Sequence, residues 1–158
     1  MITTEHHTLL LADRDRRGDA SGAPTPAVAL CALPVTPATV PTVRHFVRDA
    51  VRRWAVPADT ADASLLVVSE LVTNVVLHSS SAEVAVLVSF DGAGLTVEVR
   101  DQGRWLDRHS PRQVPEDDGA AFGRGLALVT ACTSWWAADV TPGGTRVVAR
   151  CPVLATAA

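Results

Sequence analysis

Two stretches, AEVAVLVSF (82–90) and LTVEVRD (95–101), alternate apolar and polar residues with a period of two around the turn residues DGAG. A chain that alternates in this way forms a hairpin with one apolar face, and that face must be covered. A second such pair closes the sequence: SWWAADV, then TPGG, then TRVVARCPV. The cover is available upstream, where the period changes to that of a helix.

After a short apolar run, AVALCALPV, which is expected to be a strand, Val43, Phe46, Val47, Ala50, Val51 and Trp54 recur at helical spacing. Thr36 or Thr39 is expected to cap this first helix, with Arg44, Arg48, Arg52 and Arg53 largely on its outer side. Pro57 separates it from a second helix, ADTADASLLVVSELVTNVVLH, capped by Asp59 or Thr60 and leaving through Ser79 to Ser81. A polar segment, 102–122, follows the first hairpin and has the length and composition of a lid. GRGLALVTACT is a third helix opened by glycines. Helices segregated from hairpins predict an α/β (α+β) two-layer sandwich, a mixed, mostly antiparallel sheet with helices on one face.

Residues 1–26 mix charge with Gly, Pro and Ser and are expected to be a disordered tail, leaving one folded domain over 27–153. A net charge of −3 gives no whole-chain attraction to nucleic acid. No apolar run approaches the length of a membrane span, and the N-terminus lacks the apolar core of an export signal, so a cytoplasmic protein is expected. Cys31, Cys132 and Cys151 are odd in number and widely spaced, which argues for buried reduced thiols. All fourteen basic residues are Arg, so a phosphate loop ending in Gly-Lys is excluded. His6, His7, His45 and His109 have no metal-ligand spacing, and Trp54, Trp135 and Trp136 are expected in the core or an interface rather than as base-stacking platforms.

On the second helix, Leu65, Val68, Val72, Val75 and Val76 gather on one side, and Glu70, Asn74 and His78 form a line nearly opposite. A solvated face would explain such a line. Val67 and Leu71 flank it, which suits a cleft better. A carboxylate can orient or deprotonate a nucleophile, and an amide oxygen can coordinate Mg²⁺. Strand parity points Asp101 to the apolar side, where a carboxylate needs a donor, unless it is merely a turn residue. Thr145 shares inward parity with Val147 and Ala149, unless it is merely a β-favouring residue after a turn. Gly119, Gly123 and Gly125 stand where backbone amides at a helix start can approach an anion, or where a loop simply ends.

In this order, the motifs resemble those of the Bergerat-fold ATP-binding domain shared by gyrase, histidine kinases and the ninety-kilodalton heat-shock chaperones. SELVTNVVLH looks like that family's N box, DQG like its first glycine box, GRGLALV like its second, and GGT like the motif before its last strand. The chain is most similar to the bacterial anti-sigma-factor serine kinases, over about residues 30 to 151.

The resemblance implies ATP and Mg²⁺ as ligands, Glu70 as general base and Asn74 as the metal-coordinating amide, with His78 near the phosphates. It implies Asp101 as acceptor of the adenine amino group, Thr145 in its support and Gly103 close to the base. Amides around Gly123, Gly125 and Leu126 are then expected to hold phosphate, with Arg124 adding charge. A sigma factor and an anti-sigma antagonist protein are the implied partners, in a homodimer, with no direct contact to nucleic acid or membrane. Trp105 stands where the family's first glycine box has a second glycine, so lid hinging and nucleotide affinity are expected to differ. Two functions remain open: a serine/threonine protein kinase that phosphorylates the antagonist and so regulates transcription, or a non-catalytic ATP-binding partner-switching module.

Overall fold

The alternating segments pair as expected. A computed structural model describes residues 9–10, 25–103 and 124–154, with backbone alone at 9, 10 and 124. The strands are β1 (Leu9–Leu10), β2 (Ala27–Pro34), β3 (Glu83–Phe90), β4 (Gly94–Asp101), β5 (Trp135–Thr141) and β6 (Gly144–Pro152). The helices are α1 (Thr39–Arg53), α2 (Ala58–His78) and α3 (Arg124–Cys132). The sheet runs β1-β2-β3-β4-β6-β5, so β6 inserts between β4 and β5.

Every neighbouring pair among the described residues is antiparallel, which narrows the expected mixed sheet to an antiparallel one. The cause lies in the connections: hairpins join β3 to β4 and β5 to β6, and β6 returns beside β4 against its direction. Leu9 and Leu10, inside the segment expected to be a tail, extend the sheet by pairing with Cys31 and Leu30.

One face of the sheet carries the core. Ala29, Cys31 and Leu33 of β2, Val84, Val86 and Val88 of β3, Leu95, Val97 and Val99 of β4, and Val147, Ala149 and Cys151 of β6 are buried with side chains of all three helices. Burial pushes the Cys31 and Cys151 thiols up to about 12, so neither is a thiolate at neutral pH.

The second helix departs from its expected packing. Val67 and Leu71 are not flanks but core residues, buried with Ser64, Val68, Val72 and Val75, while Leu65 and Val76 are only partly buried. A helix enclosed by α1, α3 and the sheet buries more than one stripe. By length and composition alone α2 is apolar enough to cross a membrane, contrary to the expectation from the sequence. Its apolar side chains pack against the sheet instead.

Neither helix is capped by the side chains expected. The Thr39 hydroxyl donates to the Pro34 carbonyl at 2.7 Å and accepts from the Thr36 N–H at 2.8 Å, fastening the β2–α1 turn. Thr60 donates to the Pro152 carbonyl at 3.0 Å, joining the start of α2 to the end of β6. Buried at 2% exposure each, these hydroxyls bond to tertiary acceptors in place of helix amides. Helix α1 ends before Pro57 on Ala55, held at φ 51 while Val56 N–H reaches the Val51 carbonyl at 3.0 Å. This is a Schellman closure with alanine where glycine is usual.

Candidate nucleotide site

The functional line of α2 is half-buried at Glu70, Asn74 and His78, which fits the wall of a cleft and neither open solvent nor the core. Four segments meet there.

Asp101 is the last residue of β4, and parity turns its side chain inward at 6% exposure. Its Oδ1 accepts from the Ser79 hydroxyl at 2.8 Å and the Gly103 N–H at 2.9 Å. The Ser81 hydroxyl accepts from the Gln102 N–H at 3.0 Å and donates to the Glu83 carbonyl at 2.6 Å. The exit of α2 is therefore a bracket that grips residues 101–103. Gly103 is required by that bracket: a Cβ would collide with the Ser79 hydroxyl and the backbone of Ser80 and Ser81. Its missing side chain thus faces the serines, a constraint separate from the expected approach to a base.

Thr145 stands directly opposite Asp101 across the β4–β6 ladder. It is 4% exposed, and its hydroxyl has no hydrogen-bond partner among the described residues. Gly144 makes this rung possible. At φ +138 it lies so close to β4 that a Cβ would overlap the Asp101 carbonyl.

Asn74, Asp101 and Thr145 share one cavity of about 110 Å³, otherwise walled by apolar groups including Leu71, Val99, Leu126 and Trp136. A small flat aromatic ligand with polar edges fits such a lining. Trp136, expected as core or interface, forms part of the wall, because β5 turns Trp136, Ala138 and Val140 to the cavity side.

Glu70 meets the start of α3. A Cβ on Gly125 would lie 2.6 Å from Glu70 Oε2, so the carboxylate fills the space beside the first turn of that helix. Leu126 lies in the cavity wall and Arg124 opens the helix; Gly123, Trp105 and the segment 104–122 lie outside the described residues. His78 is the last residue of α2, one position before Ser79. The structure therefore brings Glu70, Asn74, Asp101, Gly103, Gly125, Leu126 and Thr145 around one site. Ser79 and Ser81, expected only as a helix exit, Gly144, quoted only within the GGT motif, and Trp136, expected in the core or an interface, join them.

A two-layer α+β sandwich whose sheet carries an inward aspartate opposite an unpaired threonine, beside an E-x-x-x-N helix, defines the class of Bergerat-type ATPase folds. The chain belongs to the histidine kinase-like ATPase domain family, whose model matches residues 33–151. Membership implies ATP binding. A search of curated proteins returned no match. Among solved structures the chain is similar to the RsbU and RsbW domains of Rv1364c from Mycobacterium tuberculosis, with TM-score 0.59 and 21% identity. That match covers 82% of this chain and 32% of the other, so this chain spans about a third of that protein. It is also similar to a chain of the SiaB-SiaC complex from Pseudomonas aeruginosa, with TM-score 0.57 and 13% identity, covering 77% and 87%.

Proposed function

We propose that this protein is an ATP-binding regulator of the anti-sigma-factor type, a serine/threonine protein kinase that acts in the cytoplasm on a small antagonist protein. The observation that carries the nucleotide reading is the buried, unpaired Thr145 hydroxyl facing Asp101 in an apolar cavity. An unpaired buried hydroxyl costs about 1–3 kcal/mol, and a ligand edge that pairs it recovers much of that. Asp101 accepts the exocyclic amino group of adenine, and Thr145 supports the neighbouring ring edge.

The residues present also fit a divalent cation. Asn74 offers a neutral oxygen in the same cavity, and no cluster of three or more His, Cys, Asp or Glu exists among the described residues to form a cage. Asn74 would hold Mg²⁺, which would supply neutralisation of phosphate charge.

Glu70 lies one helical turn before Asn74, at the end of the cavity where α3 begins. It takes the proton of a serine or threonine hydroxyl as that oxygen bonds to the γ-phosphorus and the bond to the leaving ADP oxygen breaks. The amides of Gly125 and Leu126, at the positive end of α3, bind the phosphate oxygens. Similarity to the RsbW-containing protein and to a chain of the SiaB-SiaC complex supports a partner-switching role; the proteins exchanged in this reading are a sigma factor and its antagonist.

The test is incubation of radiolabelled ATP and an antagonist protein with wild type and Glu70→Ala, beside calorimetry of Mg·ATP with wild type and Asp101→Asn. Transfer abolished by Glu70→Ala, with heat of binding lost in Asp101→Asn, is expected. Binding without transfer in the wild type would instead establish a non-catalytic ATP-dependent module.

A further inference from the structure

Trp136 has one polar atom, the indole N–H, and it is turned away from the cavity. Nε1 donates to the Thr130 hydroxyl on α3 at 3.0 Å, and that hydroxyl in turn donates to the Leu126 carbonyl at 2.9 Å. The indole is thus fixed in orientation, and what it presents to the cavity is ring carbon. Trp136 stands four residues along β5 from Val140, which faces Thr145 across the ladder, so the indole and the Asp101–Thr145 rung delimit the cavity along the sheet.

The same bond chain reaches the phosphate end. Thr130 and Leu126 are on α3, whose first turn holds Gly125 against the Glu70 carboxylate. Helix α3 has nine residues and packs chiefly on α2, with Val129 its one fully buried side chain among those described, and the Trp136–Thr130 bond ties it to β5 as well.

Resting on the nucleotide reading above, we propose that Trp136 is a specificity-determining and positioning residue of this site. Its ring is the surface against which a flat aromatic base lies, and its N–H latches α3 through Thr130 so that Gly125 and Leu126 stand correctly for the phosphates. Ribose and phosphate have no partner on an indole wall, which makes the base the part of the nucleotide recognised there.

The experiment uses the full chain with Trp54, Trp105 and Trp135 replaced by Phe, leaving Trp136 as the sole fluorophore. Mg·ATP is titrated by emission and by calorimetry in parallel. Expected is a change in Trp136 emission that saturates with the calorimetric Kd. In the otherwise wild-type chain, Trp136→Phe keeps an apolar ring and removes the N–H, and Thr130→Val removes the acceptor at similar volume. Each is expected to weaken Mg·ATP binding about 2- to 10-fold, the range for loss of one hydrogen bond, and to speed amide exchange in α3 without nucleotide. A melting curve for each variant verifies folding, and Thr130→Val stands as the test should Trp136→Phe not fold.

Calorimetric binding with silent emission, or wild-type affinity in both variants, overturns the role of Trp136 and leaves the nucleotide reading intact. Absence of any calorimetric binding to the wild type overturns both.

Discussion

The Glu70 carboxylate fills the space beside Gly125 in which any other residue would carry its Cβ. The colliding atom is the far end of a flexible side chain, so Gly125→Ala moves Glu70 without moving backbone. Melting temperature is expected to stay within a few degrees of wild type, since alanine favours a helix over glycine and the only close neighbour at this half-buried position, among the described residues, is a flexible side chain. If Glu70 is the general base as proposed, phosphoryl transfer is expected to fall by about tenfold or more on its displacement. Parallel melting and radiolabel-transfer assays check the separation.

Thr145→Val exchanges the unpaired hydroxyl for a methyl of nearly the same shape. The ligand-free protein is expected to gain about 1 kcal/mol, because a desolvated hydroxyl is removed and no partner is orphaned. Affinity for Mg·ATP is expected to drop about 2- to 10-fold. Denaturant unfolding and calorimetry give the two opposed signs, and a loss of both stability and affinity would count against the cavity as a binding site.

Gly144→Ala places a Cβ against the Asp101 carbonyl at a left-handed φ. Both faults are in backbone, which has no rotamer to escape to. A loss of about 3 kcal/mol is expected in urea unfolding, together with loss of nucleotide binding, since the Asp101–Thr145 rung is pried open.

Ala55→Gly removes the strain of a left-handed alanine at the end of α1. The left-handed conformation costs an alanine about 1–2 kcal/mol, against about 0.5–1 kcal/mol of extra chain entropy for glycine. A net gain of about 0.5–1 kcal/mol is expected from their difference, read as a higher urea midpoint at unchanged slope.

Glu98, on the helix-free face of the sheet, accepts from Arg146 Nε at 3.0 Å and Nη2 at 2.8 Å, and also pairs with Arg100. Hydrogen bonding from Arg146, opposed by partial burial and aided by Arg100, holds its carboxyl below the ordinary 4.5. A depressed folded value means the stabilisation is complete above 4.5, the unfolded value, and is lost as pH falls through the lower folded one. Glu98→Gln is therefore expected to lower stability at neutral pH and to flatten the acid limb of a stability–pH curve.

Much of this architecture was legible because period and parity are local. The hairpins and the three helices follow from spacing alone, whereas parity offered the inward turn of Asp101 and Thr145 only beside the readings of a turn residue and an ordinary strand residue, and the line of Glu70, Asn74 and His78 was visible although Val67 and Leu71, read as its flanks, belong to the core. What escaped depends on partners distant in sequence. Thr60 failed to cap α2 because its acceptor is the Pro152 carbonyl, 92 residues on. The width of the α2 core face was hidden because α3 covers a side that a lone helix would expose. Ser79 and Ser81 looked like a helix exit, and only the return of β4 makes them a bracket for Asp101. Trp136 was expected in the core or an interface, since its place in the cavity wall depends on α2 and β4, far upstream in the chain.

The insertion of β6 between β4 and β5 has a consequence for synthesis. A nascent chain emerging from the ribosome exposes β5 with no hydrogen-bonding neighbour and leaves the outer edge of β4 bare until β6 arrives. Two open edges invite pairing with other chains. The last of these strands to arrive closes both at once, and with the same stroke sets Thr145 opposite Asp101, so pairing of the described strands and the birth of the cavity they line are a single event.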